Sequence, residues 1–419
     1  MANWLERAIE RGESGSLAND CFVQKRQQSL ALLKEQVWPG RKVEAWKYTS
    51  LYPLQDKSFA LEGSAAANDS ATFMIDGLES LDLIFINGQL QNLPTDLPQG
   101  LSITRASAAA ESWVVEGYAA IKPERHLFGL VNDVLASDTI VIDVADNANI
   151  ETPVRIVNVL SEGHESHSRV LVRIGTQAKA VVIEQAVGND SSFHTAFVEY
   201  DVAAESMLEH YRFALQTGLA MAAGGSHIKL ATKAKLNSTL VGFGSAVSRL
   251  DIDVIHAGEH TDAKINAIYL LDNEELFDLH SVIEHTMPNG TTEENVRGIV
   301  ADRSTAVFNG RIHIHRDAQK VLAELNNRNL LLSRQATINT KPELEIYADD
   351  VRCAHGATIA EMDKTAMFYL QSRGLSQSQA KVMLNFGFIN ELVDLMPNQI
   401  LAEWLRPQLR QRFAQMEVK

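Results

Sequence analysis

Two short phrases in this sequence set metal-ligating side chains two residues apart. The first is Val351-Arg-Cys-Ala-His355. If it is extended, Cys353 and His355 project from the same side, because side chains alternate along a strand. A thiolate and an imidazole both ligate iron, zinc or copper, but a tetrahedral site takes four donors. The chain holds only two cysteines, Cys21 and Cys353, far apart in sequence. The residues alone therefore leave two readings open, half of a metal site or a structural pair. Asp349 and Asp350, just before, are either a charge pair beside the ligands or a solvated turn. The second phrase, Gly310-Arg-Ile-His-Ile-His315, repeats the same-side geometry with His313 and His315. The following glutamate, Glu324, stands nine residues on and beyond a polar turn, which makes it a poor third ligand. The other histidines, including His164, His167, His256 and His260, are scattered among turn-forming residues and read as surface residues. Cys21 reads as a small buried hydrophobe on a helix, as free cysteines usually are.

Other chemistries are missing from the sequence. It has no Gly-x-x-x-x-Gly-Lys-[Ser/Thr] phosphate loop, no Gly-x-Ser-x-Gly elbow and no His-Glu-x-x-His. Any ATP use therefore belongs to another chain. A formal net charge of -15 disfavours nucleic acid as a partner, because such binding rests on Lys and Arg neutralising phosphates. Apolar runs such as Leu330 to Leu332 fall far short of the roughly 20 residues a membrane helix requires. The segment Met-Ala-Asn-Trp-Leu-Glu-Arg lacks the apolar stretch of a signal peptide. The expectation is a soluble, cytoplasmic protein.

Three regions must position these residues. Residues 1–137 read as mixed, with an early helix marked by Phe22, Leu30, Leu33 and Val37 and closed by Pro39-Gly40. Small-residue stretches Gly63 to Ala67 and Ala106 to Ala110 look like linkers around a strand, Leu81 to Ile86, that ends in an Asn87-Gly88 turn. Residues 138–362 change to short β-branched runs punctuated by turn residues. Phrases beginning at Ala178, Glu205, Ala234 and Ala263 recur at intervals of roughly 27 to 29 residues, the range of stacked repeat units. This predicts a β-solenoid. The next such phrase, Thr305 to Gly310, breaks the spacing and leaves a β-sandwich open. Residues 363–419 return to helix, with Asp363 as an N-cap, Gly374 as a stop, a Ser376/Gln379 capping box and an apolar face of Ala380, Met383, Leu384, Ile389, Leu392 and Met396. A last helical stretch passes through Pro407.

At this point the sequence resembles a known family. Glu343-Leu-Glu-Ile-Tyr-Ala-Asp-Asp-Val-Arg-Cys-Ala-His-Gly-Ala-Thr358, followed by Phe368-Tyr-Leu-Gln-Ser-Arg-Gly374, looks like the signature of SufD-type subunits of the SUF iron-sulfur cluster assembly machinery. Asn326-Asn-Arg-Asn-Leu-Leu331, Phe308-Asn-Gly310 and Glu44-Ala-Trp-Lys-Tyr-Thr49 are similar to further family motifs in the same order. Ala360 departs from the pattern where a Gly is common. The resemblance implies a right-handed parallel β-helix flanked by helical regions, working in a complex with a homologous scaffold, SufB, and an ATPase, SufC. It implies a non-catalytic subunit, with a transient iron-sulfur cluster on the complex and none held stably by the isolated chain, which could instead form a homodimer. Carried onto this sequence, it makes His355 a candidate cluster ligand at the subunit interface and Cys353 its neighbour. The helices of residues 363–419 become the expected ATPase-docking domain, with Arg373, Gly374, Met383, Phe386 and Leu392 as its partner-binding residues. Cutting the chain after Ser372 is then expected to abolish that docking and leave the β core folded. The alternative function is a polysaccharide-active β-helix enzyme using Asp349 and Asp350 as paired carboxylates. An integral membrane permease is excluded by the missing spans.

Overall fold

The computed structural model describes residues 3–14, 21–61, 73–108, 112–137 and 139–417. The expected linker Gly63 to Ala67 lies outside the described residues, as do Ala109 and Ala110 of the second.

From Thr139 to Ala360 the chain lays down strands alternately in two sheets, and within each sheet successive strands are parallel and in register. The result is a parallel β-solenoid of about eight turns. The recurrent phrases at Ala178, Glu205, Ala234 and Ala263 fall on four successive strands of one sheet, paired Lys179 to Met207, Met207 to Lys235 and Lys235 to Asp262. The apparent break at Thr305 is no break. Thr305–Ile314 belongs to the second sheet, where Thr305 stacks on Leu276, and the next strand of the first sheet is Thr291–Val300. Inward side chains of both sheets form one continuous apolar core, from Leu83 and Ile142 through Ile252 and Ile265 to Leu325.

One corner of each turn repeats a local device. Asn147, Gln177, Glu205, Lys233, His260, Asn289 and Lys320 all adopt left-handed backbone with φ between 57° and 62°. Each donates its amide to a carbonyl one turn ahead, from Asn147 to Thr176 through to Lys320 to Asp350. A left-handed conformation costs a residue other than glycine about 1 kcal/mol or more, and the stacked hydrogen bonds hold it in place.

Helices cover the outer faces. Trp4–Glu13, Val23–Lys34 and Leu127–Leu135 pack Trp4, Leu5, Leu30, Leu33 and Phe128 against Phe193, Phe197, Met221 and Val247 of the second sheet. Gln377–Asp394 and Gln399–Glu417 lay Ile389, Leu392, Leu405 and Phe413 on Phe213, Val241, Ile268 and Ile299 of the first. With both faces covered, strands such as Phe193–Val202 are buried along almost their whole length, as parallel strands usually are.

The sequence expectations need four corrections here. Cys21 is exposed in the turn before its helix, not buried on it, and Val37 lies beyond the helix end at 74% exposure. Met383 points outward, because 3.6-residue periodicity turns Asn385 rather than Met383 inward beside Ile389. The C-terminal helices are also part of the fold. Each buried Leu, Ile or Phe they share with the sheet contributes roughly 1.5–3 kcal/mol. Cutting after Ser372 would strip that cover, so the core is not expected to survive the truncation intact. The helix signals themselves hold: Asp363 caps Thr365 and Ala366, Ser376 and Gln379 form the capping box, and Pro407 sits inside the last helix. No helix among the described residues is long and apolar enough to cross a membrane.

Candidate functional site

The last turn of the solenoid consists of Thr337–Ile346 in one sheet and Arg352–Ala360 in the other. Each is the terminal strand of its sheet. In register, Cys353 lies beside Ala323 and His355 beside Leu325, and both of those neighbours are fully buried. Cys353 and His355 thus continue the interior column of the solenoid into a turn that no further turn covers. Cys353 is half-buried and packs against the end of the core, while His355 is exposed. Burial pushes the Cys353 thiol up, against the smaller effect of a hydrogen bond from the Ala323 backbone. At neutral pH it is a protonated thiol that needs a metal or a cationic neighbour to become a ligand.

Below this pair lies a polar layer. Asn329 donates to Asn327 at 2.7 Å, Thr340 donates to the same Asn327 oxygen at 2.8 Å, and the Tyr269 hydroxyl donates to Asn329. Asn327 and Asn329 belong to the Asn326-Asn-Arg-Asn phrase, whereas Tyr269 and Thr340 join them only through the winding of the two sheets. Glu294, one turn earlier in the interior, is buried, and the Ser281 hydroxyl, not close enough for a full hydrogen bond, only partly offsets that burial. Burial raises its carboxyl to about 7.

Asp349 and Asp350 form an exposed turn between the last two strands. The Asp350 carbonyl accepts from Lys320 and its amide donates to the Gln319 side chain at 2.9 Å. Its backbone closes a solenoid corner, which is the solvated-turn reading of the pair.

The second phrase gains a ligand the sequence search missed. His313 and His315 flank the buried Ile314 and face outward, with rings stacked 4.2 Å apart. Glu284, on the preceding strand of the same sheet, is the register partner of His313, and its carboxylate lies 3.7 Å from His315 Nε2. Lateral strand pairing brings in a carboxylate from upstream, whereas the downstream Glu324 belongs to the other sheet.

Two of the scattered histidines are not surface residues. His256 is fully buried, stacked on His285 at 4.0 Å and bonded to Thr261, and His167 is buried between Thr195 and Glu165. They sit where the turn meets the strand, and the strand carries them inside. His260 is exposed and His164 is partly so. Unannounced by spacing, His126 and His227 both contact Asp253, at 2.8 and 2.7 Å, beneath the helix Leu127–Leu135. Burial would raise the Asp253 carboxyl, but the two imidazoles hold it well below the usual range.

Of the expected partner-binding residues, Arg373 and Gly374 are exposed at the turn after Lys364–Ser372, and Gly374 has the positive φ that favours glycine there. Met383 is exposed on the helix Gln377–Asp394. Phe386 is half-buried, with the Arg410 guanidinium over its ring at 4.5 Å. Leu392 is 2% exposed and belongs to the chain's own core, so it is not free to bind a partner. Phe368 and Tyr369, at 72% and 56% exposure, join Met383, Leu395 and Ile400 among the large apolar side chains these helices leave in solvent.

Comparison with known proteins gives the family. The model for the "SUF system FeS cluster assembly, SufBD core domain" matches residues 156–388, and that for the "SufBD protein N-terminal region" matches residues 12–156. The chain is 28% identical to the iron-sulfur cluster assembly protein SufD of Escherichia coli, over 92% of each chain. It is 27% identical to an iron-sulfur cluster assembly SufBD family protein of Synechocystis, over 96% of this chain and 92% of that one. It is 26% identical to the chloroplastic protein ABCI7 of Arabidopsis thaliana, over 97% and 88%. The core model covers the solenoid down to Cys353 and His355 and on into the C-terminal helices, and the chain belongs to the SufBD family of iron-sulfur cluster assembly proteins, as a SufD-like member.

Proposed function

We propose that this chain is the non-catalytic partner of a SufB-like scaffold and a SufC-like ATPase, and that a nascent iron-sulfur cluster forms where its last turn meets the scaffold. The observation that supports this is the open end of the solenoid. Arg352–Ala360 presents an unpaired edge, and His355 stands exposed at a register position that is fully buried one turn earlier. An unpaired strand edge is a template for a strand from another chain. Pairing with the matching edge of a homologue would bury the end of the core and bring a second set of donors to His355 and Cys353.

A shared site follows from donor arithmetic. Iron-sulfur clusters are held mainly by cysteine thiolates with occasional histidine replacement, and one chain offers one of each here. The isolated chain is therefore expected to hold little iron. The ATPase would dock on the C-terminal helices through the exposed Phe368, Tyr369 and Met383, next to Arg373 and Gly374.

The test is anaerobic co-expression with the two partners. His355→Ala should leave expression and complex formation intact while cluster build-up fails, read as iron, sulfide and visible absorption. Wild-type iron and sulfide on the His355→Ala complex would refute His355 as a ligand. A stable cluster on the lone chain would refute the shared site.

A further inference from the structure

Toward the C-terminal end of the second sheet, outward side chains alternate with core ones and are only half-buried. His313 occupies one such outward position, His315 lies just past the end of the same strand, and Glu284 occupies another on the neighbouring strand. One ligand atom from each of the three lies within 4.8 Å of the others. His315 Nε2 is shielded from solvent yet has no hydrogen-bond partner. Tyr347 sits edge-on to His313 at 5.5 Å. On the far side of His313, its register partner Glu345 is engaged by Arg311 at 3.6 Å. That leaves Glu284 as the carboxylate facing the imidazoles.

We propose that Glu284, His313 and His315 form a binding site for a divalent first-row transition cation. Two imidazoles and one carboxylate are a donor set for such metals, and the lack of a thiolate disfavours softer ions. Ligand atoms bound at 2.0–2.2 Å stand roughly 3–3.5 Å apart around the ion. The Glu284 to His315 contact is close to that separation. The stacked rings need only splay by side-chain rotation, which half-exposed positions allow. Three protein ligands leave further positions to water, so the site would exchange its ion readily. The buried cluster of His126, His227 and Asp253 differs in kind. There one carboxylate oxygen already serves both imidazoles, and Arg125 brings a cation to the other.

This site is separate from the cluster reading, and its test is chosen accordingly. The untagged full-length chain is stripped with a chelator and titrated with Zn(II) by calorimetry and with Co(II) by absorption. One equivalent is expected, with ligand-field bands and no thiolate charge-transfer band. His313→Ala combined with His315→Ala should weaken binding roughly tenfold or more, the scale of losing ligand-level contacts. His355→Ala and Cys353→Ser should leave it unchanged. Should the double variant lose its native circular dichroism, Glu284→Gln alone decides, with the same weakening expected. Metal uptake unaltered in a folded variant of these residues, or no uptake by the wild-type chain, overturns the proposal.

Discussion

The two ends of the solenoid are built from the same repeat and finished in opposite ways. At the N-terminal end, Leu101–Arg105 runs antiparallel to Thr139–Val144, and Leu81–Ile86 folds back on itself through Asn87-Gly88 into Gln89–Leu90. Leu90, Leu93 and Leu97 pack over the end of the core. Thr139–Val144 is buried at five of its six positions, whereas Thr337–Ile346 at the other end has none fully buried. Antiparallel additions stop a parallel stack, because they cannot continue its winding. Among the described residues the C-terminal end has no such stop, and it is where the thiol, the imidazole and the asparagine layer are gathered.

Large-to-small substitutions measure that contrast most directly. Ile142→Ala at the capped end should lower stability by roughly 2–5 kcal/mol, and Leu344→Ala at the open end by roughly 1 kcal/mol or less in the isolated chain. Denaturant midpoints that fall equally would break the comparison. Glu294→Gln sharpens it by testing the polar interior near the open end. The folded-state carboxyl at about 7 lies above its unfolded value, so the folded chain binds the extra proton. The penalty of ionising it is absent below about pH 4.5, grows as pH rises through 7, and then levels off. Glu294→Gln should match wild type at pH 4.5 and exceed its stability by up to about 3 kcal/mol at pH 8. An unchanged pH profile would place Glu294 in contact with water. The smallest effect on the chain itself is expected from Ala357→Pro. The Arg352 amide donates to Val321, so by alternation the amides of Cys353, His355, Ala357 and Ile359 face the open edge. Proline at 357 removes an unpaired donor and should shift stability by about 1 kcal/mol or less. Co-purification with a SufB-like partner should nonetheless fail, and intact assembly would show that the partner does not pair along this edge.

The repeat, the β-solenoid and the helix caps were legible because each rests on a local signal. Asn87-Gly88, Asp363 and Ser376 with Gln379 act within a few residues of themselves, and the phrases spaced by one turn repeat openly along the sequence. What escaped depends on lateral neighbours. Glu284 meets His313 only through strand register, and Tyr269 meets Asn329 from two turns away. His256 was misjudged because a residue at a strand end looks like a turn residue until the winding carries it inside. Leu392 and Met383 were assigned to one surface because an apolar helix face does not state whether its own sheet or another molecule covers it. Cys353 and His355 were placed on one side by alternation alone, yet only the stack reveals that this side is the interior of an uncovered turn.

The left-handed corners tie each turn to the one that follows. From Asn147 to Lys320, every left-handed corner residue finds its acceptor in the turn that follows, while neighbours such as Gly175, Ala203 and Ala231 donate back to the turn before. A growing chain that emerges from its N-terminus therefore delivers each acceptor just after the donor that needs it. Each completed turn leaves its left-handed amide among the donors still unmet, a tooth of a zipper that closes as the slider passes to the next turn. The slider halts at Asp350, whose carbonyl answers Lys320 with no further corner to follow. The paired aspartates that suggested acid-base chemistry in the sequence are, in the folded chain, the stop at the end of that track.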